Sequence, residues 1–224
     1  GMEMFEADTQ LKVDEYMAGL ISEERFLAET YLWDNYKTDY APVVKCAKER
    51  GIRLIATNVP RRYARAVSVG NVDALRKFPQ SSQLYFGKVL ERVEAIQEPN
   101  PFFTKASAML KTVSAKHDET SPSKALTNEQ KQQLVEMTRA QALKDAVMAR
   151  NIADNLTGVF IHINGNYHSD CGKGIITYLK EFRPAIRIIT VSTVYQDKLS
   201  ELNPVNRGKA DFYIVLPTDT HKTF

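Results

Sequence analysis

Residues 158–164, Gly158-Val159-Phe160-Ile161-His162-Ile163-Asn164, and the turn after them, Gly165-Asn166-Tyr167-His168-Ser169-Asp170-Cys171-Gly172-Lys173-Gly174, decide how this chain is read. The first run is short, apolar and β-branched, and Asn-Gly ends it, which predicts a buried strand rather than a helix. The glycine-rich turn then opens a helix from Ile175 to Phe182. Strand, turn and helix in that order are one unit of an α/β domain. Working outward, the same unit recurs at Ile52–Thr57 (IRLIAT), where Asn58-Val59-Pro60 punctuates and a helix from Arg61 to Val69 closes at Gly70. Arg187–Thr193 (RIITVST) and Ala210–Leu216 (ADFYIVL) read as two further strands, and Gly1–Glu6 as the end of another. Such continuous apolar strands are covered on both faces, so the expected fold is α/β: a mainly parallel sheet with helices on both faces.

The remaining helices follow from caps and periodicity. Leu11–Ala18 ends at Gly19, Ser22 caps a helix with an acidic first turn, and a helix from Asp39 to Arg50 closes at Gly51. Thr127 and Gln130 fit a capping box, and no Gly or Pro interrupts the chain from there to Leu156. One stripe of that long helix runs Leu134, Met137, Gln141, Asp145, Met148, Ile152. Gln141 and Asp145 either sit at the edge of the apolar face or point into a polar cavity, because an unpaired buried carboxylate is costly. Residues 71–126 hold Pro79, Pro99, Pro101 and Pro122 between helical pieces. They are read as a helical insertion, a lid, within a single domain spanning residues 1–224.

At 224 residues, 43% hydrophobic and 25% charged, the chain has the composition of a globular protein and needs no disulfide or zinc staple. A net charge of +3 without a basic block gives no reason to expect a nucleic-acid partner. Cys46 and Cys171 are in no metal or redox spacing. Cys46 falls in a helical apolar pattern and is expected to be a buried, inert thiol. No secretory signal precedes the opening strand fragment, and upstream residues are expected to be missing.

In open parallel sheets, ligands bind beyond the carboxyl ends of the strands. Those ends supply Glu3 and Glu6, then Asn58 and Arg61, then Asn166 and His168. His168 is the pivotal candidate, since it follows a strand and precedes the Gly172-Lys173-Gly174 helix start, whose N–H groups suit an anion. His162, mid-strand, is read as a hydrogen-bonded core histidine. Arg61 and Arg62 at a helix N-terminus call for an anionic partner, from Glu3, Glu6 or a bound ligand. Tyr31, Trp33, Tyr36 and Tyr40 form either core packing or a flat wall for a planar ligand.

Five stretches carry a resemblance: GMEMFEADTQ (1–10), IATNVPRR (55–62), QALKDAVMA (141–149), GNYH (165–168) and GKADFYIVLP (208–217). In order and spacing they resemble the ChaN-like haem-binding lipoproteins of the Tiki/TraB/erythromycin-esterase-like superfamily. That resemblance implies haem or another planar anionic small molecule as partner, a role in haem and iron acquisition without enzymatic activity, and a homodimer. It also implies a periplasmic or outer-membrane-anchored location through a lipid anchor that this chain lacks. Family members carry an earlier Gly-Glu-x-x-His motif on a strand; here only Gly165–His168 represents the paired motifs. The cofactor-binding candidates are His168, Tyr167 and Tyr63 toward iron and Arg61 or Arg65 toward propionates, with Asn58, Gln141 and Asp145 around them. Tyr167 and His168, as strand neighbours, are expected on opposite faces. The alternative is a hydrolase with a divalent metal at His168, in which Glu3 or Glu6 acts as base and Arg61 stabilises an oxyanion.

Overall fold

The structure, a computed structural model, describes residues 1–104, 126–221 and 223. In chain order its main elements are β1 (Met2–Glu6), α1 (Gln10–Met17), α2 (Glu23–Glu29), α3 (Ala41–Glu49), β2 (Ala56–Asn58), α4 (Arg61–Gly70), α5 (Asn128–Asn155), α6 (Ile175–Phe182), β3 (Val191–Tyr195) and β4 (Phe212–Leu216). The chain divides into two compact units, one formed by Gly1–Asn58 with Asp145–Phe224 and the other by Val59–Lys144.

Among the described residues the four strands lie in the first unit, and both pairs are parallel. β1 pairs with β2, and on its other side the amide of Ile163 donates to Gly1 O while that of Glu3 donates to Ile163 O, each at 2.9 Å. β3 and β4 run in unbroken register from Val191–Phe212 to Tyr195–Leu216. This is an α/β fold with shorter ladders than expected. Regular pairing covers only the last part of the Ile52–Thr57 run, a single bridge at Ile163 in the 158–164 run, and the far end of 187–193. Side chains explain part of the shortening. The Gln10 amide donates to Leu54 O and accepts from Ala56 N, and Asp211 Oδ2 accepts from Thr190 N, so these backbone groups are satisfied without a ladder.

Burial separates the two strand pairs. Met2, Glu3, Met4 and Phe5 of β1 are all buried, with Val13, Tyr16, Phe26, Tyr36 and Val44 forming the core around them. Tyr36 stands edge-on to Phe5 and Phe26, so the packing reading applies to it, whereas Tyr31 is exposed. A second core joins Met148 and Ile152 of α5 to Ile175 and Leu179 of α6, with Phe160, Ile186 and Ile188 packed against them. The alternate residues of those extended runs are exposed.

Helix caps form as their residues dictate. Ser22 accepts from Arg25 N, and Thr127 and Gln130 exchange side-chain-to-backbone bonds at 3.1 and 3.2 Å. Cys46 is exposed, contrary to the expected buried thiol. On α3 the inward residue is Val44, and two positions along a helix is a turn of about 200°. The second unit packs Tyr63 of α4 against Phe78, Tyr85 and Phe86. Of the expected insertion, residues 71–104 form short helical turns, including Val72–Lys77 and Leu90–Glu94, and residues 105–125 lie outside the described part.

Candidate functional site

The site in the first unit is built by three segments that converge on one imidazole. β1 delivers Glu3, α5 delivers Asp145 from its first turn within this unit, and a 3-10 turn at Asn166–His168 delivers His168. All three side chains are buried. His168 Nδ1 lies 2.5 Å from Asp145 Oδ1, and its Nε2 lies 3.3 Å from Glu3 Oε1. Glu3 Oε2 accepts from Gly165 N at 2.8 Å, fastening β1 to the turn that carries the histidine.

Burial by itself would pull the His168 pKa down, because an uncompensated imidazolium is poorly solvated there. The hydrogen bonds and charges of Asp145 and Glu3 outweigh that cost and push it up to about 9. His168 is therefore an imidazolium at neutral pH, with both ring N–H groups directed at carboxylates. In this state it neither ligates a metal nor accepts a proton. As an iron or metal ligand, the role expected of it, it would first have to lose that proton. Among the described residues no group of three or more His, Cys, Asp or Glu is placed to hold a metal ion.

The turn needs Gly174. Its φ is +56°, and a Cβ there would come within 2.4 Å of His168 O and 3.1 Å of Asp145 Oδ2. The backbone thus crosses directly behind the histidine, an approach that only glycine permits.

Tyr167 is 37% exposed and meets the His168 ring edge-on, with centroids 5.3 Å apart. Burial first, and the Asp145 charge second, push its phenol up to about 12. The expectation that Tyr167 and His168 point to opposite faces assumed a strand. In a 3-10 turn successive side chains are about 120° apart, and the two rings touch.

The other candidates are placed as follows. Asn58, at the end of β2, is buried; its amide donates to Glu3 O at 3.1 Å, and its Oδ1 is buried without a hydrogen-bond partner. Glu6 is half-buried at the end of β1. Arg61 and Arg65 are exposed on α4 in the second unit, and Gln141 is half-buried there. Arg65 lines a cleft of about 580 Å³ with Ser68, Asn71, Gln132, Glu136 and Met137. Tyr63 is 1% exposed, and Arg62 donates to its hydroxyl at 3.1 Å. Enclosed by three aromatic rings, it is a core residue of its unit and not an available ligand, a correction to its place among the iron candidates.

The arrangement that residue-by-residue reading missed is the Asp145–His168 pair. Its signal was in the sequence, as a carboxylate interrupting the apolar stripe of α5.

A family model described as haem-binding uptake, Tiki superfamily, ChaN matches residues 1–179. The chain belongs to this ChaN family. The match includes β1, α5 and the Gly165–His168 turn, hence all three residues of the buried cluster. A similar solved structure, described as cofacial heme binding to ChaN of Campylobacter jejuni, is 16% identical, with a TM-score of 0.57 over 95% of this chain and 71% of that one. At that identity the likeness is one of fold. No curated protein sequence matches the chain.

Proposed function

We propose that this protein binds ferric haem through the phenolate of Tyr167, with the Glu3–His168–Asp145 cluster holding the turn beneath it. The observation that carries the reading is the family match across residues 1–179, which brings haem-binding uptake to a chain whose turn at 166–168 bears an exposed oxygen donor. Phenolate is one of the protein donors that hold haem iron. The donor set therefore fits the group, and bound haem would supply the redox-active iron for which an uptake protein is a carrier. His168 serves here by position: as an imidazolium it pairs with both buried carboxylates and fixes the turn.

The phenol must lose its proton to ligate. With its pKa near 12, binding releases about one proton per haem, and apparent affinity rises up to about tenfold per pH unit in the neutral range. The test is a haemin titration followed by absorbance. A saturable one-to-one Soret change that Tyr167→Phe abolishes, and that tightens with pH, is the expected result. Binding that survives Tyr167→Phe with an unchanged spectrum would remove Tyr167 as the ligand, and non-saturable binding by the wild type would remove the haem reading.

A further inference from the structure

The second unit, Val59–Lys144, holds a cleft that the haem reading does not use. Its walls are the second half of α4 and the first half of α5. Its volume of about 580 Å³ falls within the usual span of small-molecule sites, roughly 300–1,000 Å³. Glu136 lines it from α5 and is only 6% exposed. The Oε1 of Glu136 accepts from Gln132 Nε2 at 2.6 Å and from Arg139 Nη1 at 2.8 Å. Its Oε2 is buried without a hydrogen-bond partner. A buried acceptor left unpaired gives up its hydration with nothing in return, so this atom calls for a donor. Arg65, exposed, lines the same cleft from α4, and no ion pair joins it to Glu136. Opposite charges therefore stand on the two walls with room for a ligand between them.

We propose that this cleft binds a small zwitterion, a free α-amino acid with an apolar side chain, whose ammonium donates to Glu136 Oε2 and whose carboxylate pairs with Arg65. An ammonium carries three N–H donors, and Oε2 is the acceptor that lacks one. The C-terminus of α4 borders the same space through Gly70 and Asn71, and the partial negative charge of its last carbonyls adds to the pull on a cation. The planar guanidinium of Arg65 matches a carboxylate with two parallel N–H···O bonds. A simple amine would leave Arg65 unpaired, and a simple carboxylate would leave Oε2 unpaired, so a ligand with both charges completes the site. Val69 and Met137, 68% and 36% exposed, supply apolar lining for the side chain. Gln132, Gln133 and Met137 are exposed beside Glu136, and their side chains can swing aside to admit the ammonium to the buried oxygen. Asn71 ends α4 at a φ of +116°, a conformation rare outside glycine, and strain of this kind gathers at ligand sites.

Isothermal titration of the haem-free 224-residue protein with L-leucine, L-methionine and L-phenylalanine tests it. The controls are 3-methylbutylamine and 4-methylpentanoate, which are leucine without its carboxylate and without its ammonium. At least one amino acid is expected to saturate a single site per chain. Its affinity should fall about tenfold or more in Arg65→Met, with circular dichroism unchanged, and in Glu136→Gln, the scale of one lost charged hydrogen bond. For leucine, both controls should bind weaker by a similar factor. The result does not hang on Glu136→Gln, which removes the buried partner of Arg139, because Arg65→Met and the two controls report on the same site. In the wild type, amide NMR signals of Ser68–Asn71 and Gln132–Met137 should move on binding. No saturable binding of any of the three amino acids, equal binding of either control, undiminished affinity in Arg65→Met, or shifts confined to other residues would each overturn the assignment. No haem is present, so the haem reading stands or falls separately.

Discussion

His162 and His168 lie six residues apart, the first half-buried and the second buried, and they carry different charge states. His162 Nε2 meets Thr57 Oγ1 at 2.8 Å and Nδ1 meets Asn164 Oδ1 at 2.9 Å, both neutral partners. Burial therefore wins, and its pKa falls to about 4. His168 suffers the same penalty but faces two carboxylates, and its pKa rises to about 9. The difference shows that burial sets the cost of a charge, and the partners decide whether it is met. One histidine is a neutral strut between β2 and the 162–164 run; the other is the cation at the centre of a polar cluster.

The largest disturbance of this contrast comes from Asp145. Asp145→Ala removes the 2.5 Å partner of His168 and leaves Glu3 facing the ring alone. Breaking a buried ion pair by deleting one member costs about 3–5 kcal/mol. Urea unfolding at neutral pH should show that loss, and the titration of His168 should move down toward that of an ordinary imidazole. A loss below about 1 kcal/mol would mean that the pair contributes no more than a surface contact.

Much of this organisation was legible in the chain. Gly165 and Gly174 bracketed the turn, Ser22 and Thr127 marked helix starts, and Ile175–Phe182 is a helix with the expected bounds. Asp145 stood out because a carboxylate in an apolar stripe needs a partner, yet its partner lies 23 residues away on a turn and is set by tertiary packing. The exposed alternation of Val159, Ile161, Ile189 and Val191 was illegible for a different reason. A continuous apolar run has no polar residues to reveal which face meets solvent, so it reads the same with one face covered or two. Cys46 was misplaced by helical phase, since a shift of one or two positions exchanges the core for the surface.

The second effect in size is a pH profile with two limbs. His168, raised above its unfolded pKa near 6.5, contributes stability below about pH 6.5 that is lost as pH rises through 9. His162, depressed below the same reference, contributes stability above about pH 6.5 that is lost as pH falls through 4. Each limb spans the interval between the folded and unfolded pKa of its histidine, at about 1.4 kcal/mol for every pH unit of that interval. Proton NMR of the two imidazoles should give one midpoint near 9 and one near 4. Coincident midpoints near 6.5 would erase the contrast.

Glycine substitutions sharpen the picture at the next level. Gly172 and Gly174 both have positive φ, +67° and +56°, but a Cβ on Gly172 meets nothing within 4 Å. Gly172→Ala should therefore cost only the backbone conformation, about 1 kcal/mol. Gly174→Ala adds a clash with His168 O and should cost about 2–3 kcal/mol. It should also shift His168 out of line with Asp145, which a changed His168 pKa would register. Equal costs for the two alanines would show that the chain relaxes behind the histidine.

The smallest expected effect belongs to the neutral side of the comparison. Thr57→Val keeps the shape of the side chain and removes the hydroxyl that meets His162 Nε2. One neutral hydrogen bond is worth about 1 kcal/mol, and His162 keeps its bond to Asn164. Unfolding should show a loss near that value, with no change in the His168 midpoint, because Thr57 has no hydrogen bond to either carboxylate of the cluster. A loss as large as that of Asp145→Ala would place the neutral and the charged histidine in a single cooperative network, in which the opposite shifts of their pKa values depend on each other.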